Sequence, residues 1–129
     1  MIKTRRWNDP VEPDDGFRVL VCRYRPRGVP KATQPWDAWF KELGPSVALH
    51  AAYWGKHGQA PIGWDEYRRR YLEEIAGERK RIELLAKLVA DGETLTLLCS
   101  SACVDPARCH RTLLRGEIER ALSFADRAR

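Results

Sequence analysis

The 129-residue sequence predicts a single α/β domain with a small, open, mainly parallel sheet flanked by helices. Two short apolar runs, at residues 17–24 and 95–99, are typical of buried strands whose two faces are both covered. Between these runs lie segments with helical periodicity, so that strands and helices alternate along the chain. A chain of this length is expected to form one domain, residues 1–129, rather than two.

The amino-terminal part supplies two predicted strands. Residues 2–7 form the first, and a polar connection rich in Asn, Asp and Pro follows it. The second strand, residues 17–24, runs into the segment Arg23-Tyr24-Arg25-Pro26-Arg27-Gly28. Proline and glycine fix and bend the backbone there, and three arginines alternate along it. Because arginine binds carboxylate and phosphate through two parallel hydrogen bonds, this segment is predicted to be a clamp for an anion.

Helices are predicted at residues 35–43, 46–53, 64–75 and 78–90. The first, third and fourth segments carry apolar side chains at helical spacing, and Ser46 is expected to cap the second. Gly92 is expected to end the fourth helix. Residues 55–63 contain three glycines and a proline, and this segment is expected to be a flexible candidate lid.

Composition and charge restrict the function classes. The sequence has no apolar run long enough for a membrane span and no signal-peptide pattern at its beginning, so a cytoplasmic protein is expected. In that compartment the four cysteines are expected to be thiols, metal ligands or nucleophiles rather than disulfides. The net charge of +5 is concentrated in arginines of the first half, which favours a small anionic partner, phosphorylated ligands included.

Three of the four cysteines lie where the strand at residues 95–99 passes into a final helix. Asp105-Pro106 is a helix-start signal, with Asp as the N-cap and Pro at the first helical position. His110 falls on the buried stripe of this helix, four residues before Leu114. In open α/β sheets, ligands bind at the carboxyl ends of strands, so this junction is the predicted functional site.

Thiol chemistry is one prediction for this junction. Cys109 lies between Arg108 and His110, and neighbouring positive charge favours the reactive thiolate. Cys109 is therefore expected to be the most reactive thiol, with His110 as base or orienting group. Cys103 is its competitor, because it lies in the loop before the helix. The alternative for each residue taken singly is ordinary packing in the core.

An anion site and a metal site are the other predictions. Parallel strands place their carboxyl ends at one edge of the sheet, so the arginines of both strand ends are expected to converge on one anion site: Arg23, Arg25, Arg27 and Arg111. The same edge would gather the thiols that suit zinc or iron: Cys22, Cys99, Cys103 and Cys109. Their spacing matches no familiar zinc motif. A nucleic-acid-binding module stays open as a third reading, from the isoelectric point near 9.2.

Several segments of the chain together resemble the DUF488 family, a domain of unknown function. They are residues 3–7, 15–28, 39–46, 67–71 and 97–99, followed by Cys109-His110-Arg111. The most specific of these are the Arg25-Pro26-Arg27-Gly28 loop and the Cys-His-Arg triplet. The chain has Cys22 where the family usually has aspartate, and Tyr24-Arg25 where Leu-Trp is usual. The resemblance implies an α/β sheet domain and no particular activity.

Overall fold

The structure is a computed structural model that describes residues 1–127. The described residues contain four strands: β1 (Ile2–Arg6), β2 (Phe17–Leu20), β3 (Ala38–Trp39) and β4 (Leu95–Cys99). They also contain four α-helices: α1 (Val47–Trp54), α2 (Trp64–Ile75), α3 (Arg79–Ala90) and α4 (His110–Arg127). These elements form one α/β domain, which confirms the predicted class.

The sheet has the order β1-β4-β2-β3, and all neighbouring strands are parallel. β4 occupies a central position, where Leu97 lies opposite Thr4 of β1 on one side and Val19 of β2 on the other. All five residues of β4 are buried, as the largely apolar run predicts. The carboxyl ends of β1, β4 and β2 consequently lie side by side at one edge of the sheet.

The larger part of the core lies between one face of the sheet and the helices. Leu95 and Leu97 of β4 pack there with Leu85 of α3 and with Leu114 and Ile118 of α4. All five side chains are fully buried. The helical stripe predicted for the end of the chain therefore holds α4 against the sheet and fixes where this helix begins.

The opposite face of the sheet carries a smaller apolar cluster. Leu20 and Leu98 pack there with Cys22 and Trp36, and Trp7 covers them from the side. The indole rings of Trp7 and Trp36 meet edge to face, with 6.3 Å between their centroids. Aromatic pairs prefer this arrangement. Successive side chains of β2 and β4 thus pack alternately into the cores on the two faces of the sheet.

A buried cluster of charged side chains around Asp15 stabilises the turn before β2. Asp15, 2% exposed, forms an ion pair with Arg18, which is 5% exposed. Asp15 also accepts hydrogen bonds from Lys3 Nζ at 3.0 Å and from the backbone N–H of Glu12 at 3.0 Å. Burial raises the pKa of the Asp15 carboxyl, but these hydrogen bonds and charges outweigh burial and hold the pKa below its ordinary value of 3.8. Asp15 is thus a charged anchor of the fold.

The prediction of a helix over residues 35–43 is wrong. Ala38–Trp39 forms edge strand β3, and only Lys41–Leu43 turns as a short 3-10 helix. Trp36 is buried in the smaller cluster and Leu43 in the larger one, so the apolar side chains of this segment face opposite sides of the sheet. The apolar residues of this segment have helical spacing because the segment passes around the edge of the sheet and contributes side chains to both faces. Backbone pairing with β2 then decides its conformation.

The final helix begins later than its start signal predicts. Asp105 accepts a hydrogen bond from the backbone N–H of Ala107 at 3.0 Å, as a cap should, but the turn it caps is a single 3-10 turn over Pro106–Arg108. Cys109 then returns to extended backbone, and α4 starts at His110. Cys109 therefore precedes the helix and does not lie within its first turn.

The central helices follow their predictions closely. Ser46 caps α1 through a 3.1 Å hydrogen bond from the backbone N–H of Leu49, and α2 and α3 are separated at Ala76–Glu78, as the weak Ala-Gly point suggests. Gly92 follows α3 with a φ of +99°, a backbone conformation that favours glycine. Among the described helices, none is both long enough and apolar enough to cross a bilayer.

Candidate functional site

A cleft opens at the carboxyl edge of the sheet. Its floor consists of the ends of β2 and β4 and the beginning of α4, with the segment before α4 beside them. Cys22, Cys99, Cys103, Cys109 and His110 all line it. The parallel sheet thus brings together all four cysteines and the histidine of the predicted site.

Three of these cysteines form a compact cluster. The Sγ atoms of Cys99, Cys103 and Cys109 all lie within 4.8 Å of one another. The Cys99 thiol donates a hydrogen bond to Cys103 Sγ at 3.2 Å, and Ser100 Oγ is 3.6 Å from the same sulfur. Cys103 is partly exposed in the cleft, whereas the other two are almost completely buried. The exposed sulfur is therefore the acceptor of the cluster.

This geometry separates the three thiol pKa values. Hydrogen bonds from the thiols of Cys109 and Cys99 hold the pKa of Cys103 far below the ordinary value of 9.0, against the effect of burial. The same bonds raise the pKa of Cys109 and of Cys99, since each must keep its proton to donate it. The hydrogen-bond geometry therefore favours Cys103 as the thiolate, whereas the sequence-based prediction names Cys109 as the most reactive thiol and stays a prediction. Hydrogen bonds between thiols therefore affect the pKa of Cys103 more than the charged residues beside it in the sequence do.

His110 completes the cluster from the first residue of α4. Its Nε2 lies 2.7 Å from the carbonyl oxygen of Val21, so Nε2 carries a proton and donates it. Nδ1 is thereby turned towards the sulfurs, 3.9 Å from Cys99 Sγ. Burial lowers the pKa of His110, but the hydrogen bond to Cys109 and the charge of the sulfur cluster outweigh burial and raise it. The arrangement can therefore hold an imidazolium beside a thiolate.

Cys22 lines the cleft but lies outside the three-thiol cluster. Its thiol donates a 3.2 Å hydrogen bond to the carbonyl oxygen of Tyr24, and burial raises its pKa to about 12. It is 7% exposed and packs in the smaller apolar cluster. Cys22 is thus a protonated thiol in the wall of the site.

The four arginines predicted to form an anion site are placed in different surroundings. Arg23 lines the cleft, and its Nε donates to the carbonyl oxygen of Pro45 at 2.8 Å. Arg25 instead stacks on Trp36 at 5.1 Å and donates to the carbonyl oxygen of Val29 at 2.7 Å. Arg25 thus belongs to the smaller apolar cluster, away from the lining of the cleft.

Arg27 and Arg111 also lie outside the lining. Arg27 is exposed, whereas Arg111 is only 4% exposed. Within the described part of the chain, Nε and Nη1 of Arg111 have no hydrogen-bond partner. The nearby Asp9 has a lowered pKa, chiefly through the backbone N–H of Arg6, and the charge of Arg111 adds to this effect. Arg108, which precedes Cys109, lines the cleft in their place.

Sequence reasoning missed the aromatic wall of the cleft. His50, Tyr53 and Trp54 of α1 line one side, together with Tyr24 after β2 and Tyr67 of α2. The spacing of the first three, i, i+3 and i+4, places them on one face of a helix. That spacing is the signal that could have located the wall, because all three side chains are aromatic and can also form hydrogen bonds.

The three clustered thiols are also the residues that could hold a metal ion. Within the described residues, Cys99, Cys103 and Cys109 offer three sulfur ligands, and Cys22 is not part of that group. The described neighbours Glu12, Asp14 and Asp15 form the other group with such spacing, but Asp15 is already paired with Lys3 and Arg18. Three thiolates with an open fourth position would suit zinc.

Gly44 supports the site from behind, and its replacement by alanine should disturb it. A Cβ at this position would lie 2.6 Å from the backbone N of Arg23 and 3.0 Å from the carbonyl oxygen of Val21, which accepts from His110. We expect Gly44→Ala to lower the free energy of unfolding by about 1–3 kcal/mol, as overpacking does, and to change the pKa of His110 measured by NMR. Gly77→Ala is the control, since nothing lies within 4 Å of its Cβ. Equal effects of the two substitutions would show that Gly44 does not support the site.

Comparisons with known proteins identify the family of this chain. The family model described as "DUF488-N3a: Active DUF488-N3 subclade" matches residues 2–122. The chain is 38% identical over 100 residues to the uncharacterized protein YeaO of Escherichia coli strain K12, covering 78% of this chain and 83% of YeaO. It is 37% identical over 83 residues to the uncharacterized protein Rv3073c of Mycobacterium tuberculosis strain H37Rv, covering 64% of this chain and 67% of that protein. No solved structure matches the chain. The match of the family model to nearly the whole chain, together with these relatives, shows that the chain belongs to the DUF488 family.

Proposed function

We propose that the protein is a thiol-dependent enzyme that acts on a small anionic substrate in the cleft, with Cys103 as the nucleophile. One observation carries the proposal. The partly exposed sulfur of Cys103 accepts a 3.2 Å hydrogen bond from the Cys99 thiol at the floor of a cleft that His110 also lines. A thiolate held beside a histidine is the usual arrangement of an activated cysteine nucleophile. The word "active" in the family description agrees with a catalytic role.

The chemistry that this arrangement supports is nucleophilic displacement. The Cys103 sulfur forms a bond to the electrophilic atom of the substrate, and the leaving group departs with the bonding pair and takes the proton of His110 Nδ1. Water then displaces the sulfur, and its proton returns to Nδ1. The thiolate and the imidazolium are both restored. Val21 keeps Nε2 protonated throughout, so that Nδ1 is the nitrogen that exchanges protons.

The charges around the cleft support an anionic substrate. Arg23 and Arg108 line it, and among the described lining residues there is no Asp or Glu. Arg23 uses its Nε on the carbonyl oxygen of Pro45, which orients the guanidinium. Arg108 is exposed in the turn before α4. Two guanidinium groups without a carboxylate beside them form a field that attracts anions.

Alkylation by a charged and a neutral reagent tests the proposal. We expect iodoacetate, relative to iodoacetamide, to modify Cys103 more slowly in the double variant Arg23→Gln, Arg108→Gln than in the wild type. The expected decrease in this ratio is about five-fold at low salt, because one charge pair at about 4 Å in water contributes about 1 kcal/mol. The effect should diminish at high salt.

The control variant loses the same formal charge elsewhere. Arg68 and Arg79 are exposed, and neither lines the cleft. Arg68→Gln, Arg79→Gln should therefore keep the wild-type ratio of the two rates. An equal decrease in both double variants would indicate a general charge effect. Modification of Cys109 or Cys99 before Cys103, followed residue by residue with mass spectrometry, would remove Cys103 from the nucleophile's role.

Metal binding is the second candidate function. The observation in its favour is the set of three Sγ atoms within 4.8 Å of one another. Zinc or iron bound by Cys99, Cys103 and Cys109 would block their alkylation, and a chelator would restore it. The nucleophile proposal expects the alkylation rate of Cys103 to be the same with added zinc and with chelator. One experiment thus separates the two candidate functions.

A further inference from the structure

The mouth of the cleft exposes aromatic side chains that the proposed thiol chemistry does not use. Tyr24 is 49% exposed and Trp54 is 47% exposed. His50 lies between them, with its ring 5.1 Å from that of Tyr24 and 6.2 Å from that of Trp54. Large aromatic side chains that stay half-exposed beside a cleft offer flat surfaces on which a planar ligand can stack.

Positive charge accompanies these aromatic side chains. Lys56 Nζ lies 5.5 Å from the centroid of the Tyr24 ring, and Arg23 and Arg108 line the cleft. Among the lining residues that the structure describes, none carries a carboxylate. Flat aromatic surfaces alternating with cations are the combination by which proteins hold a nucleobase and its phosphate.

His50 adds a polar contact at the same place. Its Nδ1 is buried and, within the described part of the chain, has no hydrogen-bond partner. Burial, with a further contribution from Lys56, lowers the pKa of His50, so that its ring is neutral near neutral pH. A buried polar atom without a partner favours a ligand that carries hydrogen-bonding groups on its ring. A nucleobase has such groups, and a simple phenyl ring does not.

We propose that the cleft binds a nucleoside phosphate, with the base against Trp54 and His50 and the phosphate on Arg108 and Arg23. The inference rests on the proposed function in one respect only: it names the class of the anionic substrate that reaches Cys103. The aromatic side chains and the arginines line one and the same cleft, which favours a single nucleotide unit, whether free or at the end of a single strand. Stacking contributes the larger part of the selectivity, because both inorganic phosphate and sugar phosphates could use the arginines alone.

Calorimetric titration with a matched ligand series tests this inference. Adenosine 5′-monophosphate and uridine 5′-monophosphate should bind more tightly than ribose 5-phosphate, which lacks the base, and than adenosine, which lacks the phosphate. Trp54→Ala should weaken binding of the nucleotides about 10-fold, as expected for the loss of one stacking surface, and leave ribose 5-phosphate unchanged. Leu84→Ala, which removes an exposed apolar side chain from α3, is the control. A short 5′-phosphorylated single strand distinguishes a strand end from a free nucleotide.

The outcomes for binding and for catalysis are separable. The titrations use both the wild type and Cys103→Ser, and both proteins should bind the nucleotides more tightly than ribose 5-phosphate, because the base contacts with Trp54 and His50 do not involve this sulfur. Equal affinity for ribose 5-phosphate and for the nucleotides, or an unchanged nucleotide affinity in Trp54→Ala, would overturn the inference and leave Cys103 as nucleophile untouched. Nucleotide binding together with an unreactive Cys103 would overturn the proposed function alone.

Discussion

The rate at which iodoacetamide modifies Cys103 should change less than about threefold between pH 5 and pH 8, whereas an ordinary thiol, with a pKa of about 8.5, changes by several hundred-fold over this range. The reason is that hydrogen bonds from Cys109 and Cys99 lower the pKa of Cys103 and so favour its thiolate. The criterion is the flat profile rather than the absolute rate, because a thiolate of lower pKa is also a weaker nucleophile. Peptide mass spectrometry gives the rate for each cysteine.

Cys109→Ala should restore part of the ordinary pH dependence. The hydrogen bond from Cys109 makes the largest contribution to the lowered pKa of Cys103, so its loss should raise that pKa. Cys22→Ala is the matched control, because Cys22 lines the same cleft but donates to the carbonyl oxygen of Tyr24 and lies outside the cluster. If Cys22→Ala moves the profile of Cys103 as far as Cys109→Ala does, thiol-to-thiol hydrogen bonding is not the cause.

Asp15→Ala should lower the free energy of unfolding by about 3–5 kcal/mol, because it leaves the guanidinium of Arg18 buried without its counter-charge. Hydrogen bonds and charges hold the pKa of Asp15 below its ordinary value of 3.8. The contribution of this carboxylate is therefore present above the pKa of the unfolded chain and is lost as the pH falls through the lower pKa of the folded state. The difference between wild type and variant should accordingly shrink below about pH 4. Unfolding by urea, followed by tryptophan fluorescence, measures both effects.

Asp14→Ala provides the comparison for Asp15. Asp14 binds the same lysine, with 2.8 Å between Lys3 Nζ and Asp14 Oδ1, but its side chain is 73% exposed. Exposed ion pairs contribute about 1 kcal/mol or less, so this variant should remain close to the wild type. Similar losses in the two variants would mean that the buried position of Asp15 has no special importance.

Much of the fold was predictable from local sequence. The run Leu95–Cys99 is apolar except for Thr96, and this pattern indicates a strand that is buried on both faces. Ser46 marks the start of α1 because its side-chain oxygen accepts from the backbone N–H of Leu49, and Gly92 marks the end of α3 through its positive φ. Local signals of this kind are reliable because the physical cause lies within a few residues of the effect.

The errors arose where distant residues decide the outcome. Trp36 and Leu43 have helical spacing, yet they pack in different cores on opposite sides of the sheet. Strand pairing with β2 creates β3, and nothing within residues 35–43 reports that pairing. Asp105 caps its turn as predicted, but Cys109 takes an extended conformation and delays the helix.

The location of the candidate site was predictable, but the roles of its residues were not. Parallel strands bring Cys22, Cys99 and His110 to one edge, as their positions after strands imply. The order of the thiol pKa values depends on which sulfur accepts hydrogen bonds, and that follows from the contacts around Cys103. The charged neighbours Arg108 and His110 instead predicted that Cys109 is the most reactive thiol. The positions of the arginines in the sequence likewise did not indicate which of them line the cleft, since Arg25 stacks on Trp36.

The ultraviolet absorbance of thiolate, recorded during a pH titration of the wild type and of Cys103→Ser, tests most directly whether Cys103 is the ionised thiol of this cleft. The wild type should keep the absorbance of one thiolate down to about pH 5, far below the ordinary thiol pKa of about 8.5. Cys103→Ser should lack this absorbance, because burial raises the pKa of each remaining thiol, Cys99, Cys109 and Cys22, whether or not Cys103 is present. Equal titration curves for the two proteins, with midpoints at or above about pH 8.5, would contradict the account.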